Sequence, residues 1–389
     1  LPKDRFLLIK PYSQSLWMDV HQIIDYLLVA ELTNRIPVVY WGSKHLHRGT
    51  VNTNAFDMYF QPISSATIEN LMKPEYTFFP TVWKYDNMMN DDPDRGTLLQ
   101  RNIGDLFNSH ANVVVCDTYI NRFQLIPYIL PEHPAYGISP QQIYRYLFKK
   151  YLRLKPDIKD EIKQFYKANL KNQGPVLGVH VRGSFEIKEF NDEFHKRFHS
   201  KVFKLRRREE LNVNETIKLH EIPRIHKFKN LQLANDLYHK EIQWFLGKFS
   251  IKKIFLATES EEVLEEYRRI YGPILTYTDA LRSPKDDQEA LYKTTHMHKR
   301  YRGIDIIKDT YLASKCDFFI GNGYSNLSHA VTRLNDWPST NIKLMYWLQD
   351  KKSIHNYKQI NSIIYPGNEF VGKFKQFLFR VSKAMNNND

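Results

Sequence analysis

Two short runs hold the residues best suited to chemistry in this chain: Gly178-Val179-His180-Val181-Arg182-Gly183 and Gly321-Asn322-Gly323-Tyr324-Ser325-Asn326. The first grows out of an unbroken apolar stretch that reads as a buried parallel strand, and open α/β sheets bind ligands at the carboxyl ends of such strands. That layout points Arg182 toward a ligand. Its guanidinium is permanently charged and forked to match phosphate oxygens, and Gly183 beside it lets a ligand approach the backbone closely. His180 lies two residues earlier, on the same strand face, where it either hydrogen-bonds that ligand or fills the floor beneath it. The second run follows an apolar stretch at residues 317–320 and precedes a helical pattern at residues 327–334. A strand, a small-residue loop and a helix start together bind anions through exposed N–H groups and the positive helix end, with the Ser325 hydroxyl as a further donor and Tyr324 and Asn326 beside it. A diphosphate suits the pair of runs. The Gly-x-x-x-x-Gly-Lys-[Ser/Thr] pattern of ATP-type phosphate loops does not occur. Nor does paired His or Cys spacing of the zinc type; His296 and His298 are two apart in a stretch read as a loop, and no metal is expected.

These runs need a scaffold of alternating strands and helices, and the chain supplies one. Residues 6–9 read as a strand, Leu16–Leu32 as a helix and residues 36–41 as a strand, which makes a βαβ unit. The helix is apolar at Trp17, Val20, Ile24, Leu27, Leu28 and Leu32, close to helical spacing, with Trp17 read as core and Asn34 as the stop. Residues 55–60 and 112–116 read as further strand-like runs. Helices are predicted over residues 139–152, entered through Ser139-Pro140, and 156–170, entered through Pro156-Asp157. The cluster at residues 171–175 breaks the pattern and marks a domain boundary. Beyond it come the strand ending at Arg182, a basic stretch at about residues 185–229, a helix over residues 231–246, a strand at 254–257, a helix over Glu261–Tyr271, and a helix over 304–315. A strand at 341–347 and a terminal helix at 370–385 follow. The expected organisation is an N-terminal α/β lobe (residues 1–172) on the acceptor side, a C-terminal Rossmann-like donor lobe (173–348), and a tail (349–389) that packs back on the first lobe.

Composition narrows the class. At 389 residues, with 42% hydrophobic and 25% charged residues, the chain fits a two-domain globular protein, and no stretch approaches the length of a membrane span. Two cysteines, Cys116 and Cys316, are too few for a disulfide framework and sit in apolar runs, which favours a reducing, cytoplasmic setting. The start lacks Met and any signal pattern, which leaves a removed targeting segment open. With 56 basic against 43 acidic residues the net charge is +13, and Lys201, Lys204, Arg206, Arg207 and Arg208 concentrate part of it. Such an excess attracts anions of any kind, so a peripheral contact with acidic membrane, or with an acidic acceptor, is an expectation for Lys201 to Arg208. A basic nucleic-acid or membrane-binding protein without enzymatic activity is the rival reading.

The order of motifs resembles a family. Trp41-Gly42 and Asn54-Ala55-Phe56 followed by Tyr59-Phe60-Gln61-Pro62 look like the bacterial nodulation fucosyltransferases. Gly178-Val179-His180-Val181-Arg182, then Phe255-Leu256-Ala257-Thr258-Glu259, then Arg302-Gly303 with Asp309, Leu312, Ser314, Asp317-Phe318 and Ser325 follow the order seen in fucosyltransferases that share the His-x-Arg strand. These comprise nodulation and core α1,6-fucosyltransferases and, more distantly, protein O-fucosyltransferases. The resemblance implies an α/β fold of the GT-B-like kind, two Rossmann-type lobes facing a cleft, with a GDP-sugar donor such as GDP-fucose, a glycan acceptor, inversion at the anomeric carbon, and no cofactor or metal. It implies that Arg182 meets the β-phosphate, Ser325 the diphosphate, Asp309 the base or ribose, and Glu259 the guanine. The chain departs from the family just after Gly183, where Ser184-Phe185-Glu186 leads into the basic stretch. Glu186 and Glu221 are the candidate general bases for the acceptor hydroxyl. Another GDP-sugar, or a silent glycan-binding relative, stays open.

Overall fold

Four short runs rich in Val, Ile, Leu and Phe form the first sheet: β1 (Phe6–Ile9), β2 (Ile36–Val39), β3 (Phe78–Phe79) and β4 (Val113–Cys116), in the order β2-β1-β4-β3, every pair parallel. The computed structural model describes residues 5–11, 15–42, 45, 47, 54–90, 103–117, 120–182, 231–283, 296–323 and 325–345. Parallel sheets are covered on both faces, and accordingly β1 and β4 are buried at every position. Phe6, Leu8, Val113 and Val115 join Val38, Leu71, Trp83 and Met88 in one core cluster; the pleat sends Leu7, Ile9, Val114 and Cys116 to the other face.

The first crossover helix, α1 (Leu16–Leu32), has 14 of its 17 residues buried, so it is enclosed on nearly all sides rather than amphipathic. Trp17 lies in the core, as expected. Enclosure also buries Asp19, His21, Gln22 and Asp25, and each meets a polar partner on a different segment. Asn34 ends the helix in the left-handed conformation (φ 51°), the stop read from its residue type.

After α2 (Ile103–Asn108) and the single turn α3 (Arg122–Leu125), Ser139 caps α4 (Pro140–Tyr151) through a capping box with Gln142, and Pro156 opens α5 (Pro156–Asn169). The chain reverses through Asn172 (φ 61°) and Gly174 (φ 82°) into the second sheet. Its strands are β5 (Val176–His180), β6 (Lys253–Ala257), β7 (Leu275–Tyr277), β8 (Phe318–Asn322) and β9 (Ile342–Met345), in the order β7-β6-β5-β8-β9. Strand β5 is central and pairs in parallel with β6 and β8. Helices α6 (Leu231–Phe249), α7 (Glu261–Tyr271), α8 (His296–Ala313) and α9 (Asn326–Leu334) complete the alternation. The α/β class read from the sequence is therefore what the chain adopts.

The chain divides into two compact units, residues 1–182 with 245–343 and residues 183–244 with 344–389. Strands β1 to β8 all belong to the first. The described part of the second consists of residues 231–244, most of α6, and residues 344–345 at the end of β9. The boundary expected after residue 172 falls between α5 and β5. Both cysteines are free and buried, Cys116 in β4 and Cys316 just before β8. Among the described residues no helix is long and apolar enough to cross a membrane.

Several expectations need correction. Residues 55–58 form a 3-10 turn, Ala55–Met58, because the Asn54 side chain accepts from the Phe56 N–H and caps it. Strand β5 ends at His180, two residues before Arg182. His296 and His298 lie in the first turn of α8 instead of a loop. Gly321 and Asn322 continue β8, which shortens the small-residue loop. The edge strands β3 and β7, two and three residues long, carry too little periodicity to be read from sequence. The 370–385 helix lies outside the described residues, as does the stretch 185–229.

Candidate functional site

The register of the second sheet places Ala257, His180 and Gly321 side by side on β6, β5 and β8. The Val181 N–H donates to the Ala257 carbonyl at 3.1 Å, carrying the pairing one residue further. Two residues beyond that row stand Glu259, Arg182 and Gly323, so one edge of the sheet gathers a carboxylate, a guanidinium and the entrance to α9. Arg182 is exposed and Glu259 half-buried. The Glu259 backbone is pinned, its carbonyl accepting from the Ser283 N–H at 2.7 Å and the Ser283 hydroxyl at 3.0 Å.

Ser325 is the N-cap residue of α9 and is buried. Its N–H donates to the Asn322 carbonyl and its carbonyl accepts from the His329 N–H, both at 3.1 Å. The hydroxyl makes no capping bond. Ser260, the N-cap of α7, does cap its helix, accepting from the Val263 N–H. The N–H groups of the first turn of α9 and the Ser325 hydroxyl therefore stand where an anion can take them. Asn326, half-buried, opens the helix.

His180 is buried, with Nδ1 2.7 Å from the Ser328 hydroxyl oxygen. Burial, reinforced by Arg182, pushes its pKa down to about 3, so the ring is neutral. Through Ser328, His180 joins the end of β5 to the first turn of α9. Gly321 makes that approach possible, since a Cβ there would lie 2.6 Å from both the Ser328 Oγ and the Phe319 ring.

Asp309 sits on α8, buried, where its Oδ1 accepts from the Thr278 hydroxyl at 2.6 Å just past β7. Burial raises its pKa to about 7. Arg282 closes the same corner, donating to the Ala280 and Thr278 carbonyls at 2.8 Å each. The Asp309 carboxyl is thus engaged with the protein. Gly183, Glu186, Glu221 and Tyr324, with the Lys201 to Arg208 cluster, lie outside the described residues. Among the described residues no group of three or more His, Cys, Asp or Glu side chains could hold a metal ion.

Sequence reasoning passed over the residues behind this edge. His21 on α1, Tyr144 on α4 and His329 on α9 are buried or nearly so and converge behind the start of α9. The cluster of polar residues Asp19, His21, Gln22 and Asp25 on a helix otherwise rich in apolar residues was the available signal. A second polar group lies near the first sheet, where the buried His45 contacts Asp19 at 3.2 Å and stacks on Trp41 with ring centroids 4.3 Å apart.

Comparison with known proteins places this geometry in context. A family model described as GDP-fucose protein O-fucosyltransferase matches residues 20–337. No curated protein matches the chain. Among solved structures, the Bradyrhizobium fucosyltransferase NodZ is similar at 17% identity over 86% of this chain and 94% of that one, with a TM-score of 0.49. A NodZ α-1,6-fucosyltransferase crystal soaked with GDP-fucose gives 17% identity, 86% and 93% coverage, and a TM-score of 0.46. POFUT1 in complex with GDP gives 14% identity, 88% and 98% coverage, and a TM-score of 0.43.

Proposed function

The chain belongs to the GDP-fucose protein O-fucosyltransferase family, and from that premise we propose that it transfers fucose from GDP-fucose to a hydroxyl of a glycan, with inversion and without a metal. The observation that carries the reading is the edge of the second sheet. There Arg182, exposed two residues past the end of β5, lies at the same end of the sheet as the loop from β8 into α9, whose N-cap Ser325 hydroxyl makes no capping bond.

Cleaving the sugar–phosphate bond builds negative charge on departing GDP while the ring gains oxocarbenium character. A fixed cation and aligned N–H dipoles at the bridging phosphate stabilise that charge as it develops. In this reading Arg182 supplies the cation, and α9 with Ser325 supplies the dipoles. Glu259 faces the nucleoside end, and Asp309 holds Thr278 and so the wall of that end. A base must take the proton of the attacking hydroxyl; Glu186 and Glu221 are the proposed candidates.

Labelled GDP-fucose and an acceptor array, with and without chelator, test the proposal. Turnover that survives chelation and falls about a hundredfold or more in Arg182→Ala is the expected outcome; an active Arg182→Ala enzyme would overturn the assignment. The description of the family favours one second reading, in which the acceptor hydroxyl belongs to a protein. Folded protein domains on the same array separate it from the glycan reading.

A further inference from the structure

The start of α9 is held from behind by two histidines. The His329 Nε2 lies 3.0 Å from the Gly323 carbonyl oxygen. The His21 Nε2 reaches across from α1 to within 3.3 Å of the Asn326 carbonyl oxygen, and its Nδ1 lies 3.0 Å from the Tyr144 hydroxyl. A carbonyl oxygen only accepts, so in each pair Nε2 carries the hydrogen. With its proton on Nε2, a neutral His21 presents Nδ1 as an acceptor for the Tyr144 O–H, and one tautomer satisfies both contacts.

The surroundings of His21 hold it neutral. Burial comes first, followed by Arg333 of α9, Arg122 of α3 and His329 of α9, and together they push its pKa well below the usual value. Asp25, one turn along α1, is occupied by Arg122 at 2.7 Å. Burial keeps Tyr144 protonated, and the Arg122 and Arg333 guanidinium groups lie 4.9 and 5.5 Å from its ring centroid.

We infer that His21 is a positioning residue of the donor site: its N–H bond to the Asn326 carbonyl ties the N-terminus of α9, and with it Ser325, to the helix that follows the first strand. This rests on the reading of Ser325 and α9 as the diphosphate site. Asn326 directly follows Ser325, and the peptide plane whose carbonyl His21 holds also carries the Leu327 N–H on its opposite side. Donors aimed at a diphosphate act only when held within about 0.5 Å of the right geometry. His21 therefore links GDP binding at the second sheet to a helix of the first.

Calorimetric titration of the full chain with GDP, together with urea unfolding, tests the role. His21→Gln keeps an amide N–H within reach of the Asn326 carbonyl, whereas His21→Phe keeps a ring without a donor. GDP affinity within about 1.5-fold of wild type for the first and weakened about tenfold or more for the second is expected. Asp25→Asn loosens the same helix on its other partner and serves as the structural control; it should lose stability while retaining GDP affinity. Unchanged affinity in His21→Phe, or an equal loss in Asp25→Asn, would overturn the role. If His21→Phe does not fold, Tyr144→Phe decides instead. By releasing the ring tautomer it should weaken GDP about threefold, and wild-type affinity there also overturns the role. A wild-type chain that binds no GDP would instead defeat the reading of the site, and the inference with it.

Discussion

His180, His21 and Asp309 show one physical effect with two signs. Removing water disfavours charge, so the imidazoles stay neutral while the carboxyl retains its proton up to a pKa of about 7. For Asp309 the folded-state pKa lies above its ordinary value of 3.8. The folded chain then binds more protons than the unfolded chain between those two values, and the contribution to stability is present at low pH and lost as pH rises through about 7. Asp309→Asn keeps an oxygen for the Thr278 hydroxyl and has no proton to lose. Its urea-unfolding stability relative to wild type should improve from pH 4 to pH 8, by on the order of 2–4 kcal/mol, and level off above that. A difference that does not vary with pH would show that Asp309 titrates normally. None of this was legible at position 309 in the sequence, where an Asp in a helix reads the same whether it is solvated or enclosed.

Strands, caps and loops set the edge on which the proposed site is built. β8 brings Gly321 level with His180, and the absence of a side chain there lets Ser328 of α9 come close enough to be bonded. Gly321→Ala should push α9 outward, costing about 1–3 kcal/mol of stability in urea unfolding and weakening GDP binding in the same variant. Stability lost with GDP affinity intact would detach the glycine from the donor site. The long elements were legible because periodicity and caps agree over many residues: α1 and α7 have the predicted bounds, and Ser139 caps α4 as its residue type suggested. Short edge strands were not, since two or three residues cannot establish a period. The loop before α9 was read too long for a related reason, as Gly321 and Asn322 look like turn residues until a neighbouring strand pairs with them.

For the whole chain, the nucleotide is the sharpest test. A protein that binds GDP and not UDP should show a midpoint of thermal unfolding raised by several degrees in GDP. At about 100 times the dissociation constant the ligand adds about 2.7 kcal/mol. UDP at the same concentration should leave the midpoint near its starting value, and the opposite ranking would defeat the family reading. The net charge of +13 adds that GDP affinity falls as salt rises. Residue types, helical periods and motif order by themselves pointed to the α/β class and the family, because those features are local in the chain. Tertiary structure alone decided that His180 meets Ser328, that Asp309 accepts from Thr278, and that His21 meets the carbonyl of Asn326, 305 residues further along the chain. Such roles depend on which groups lose their water and meet across the fold, and packing between elements far apart in the sequence settles that.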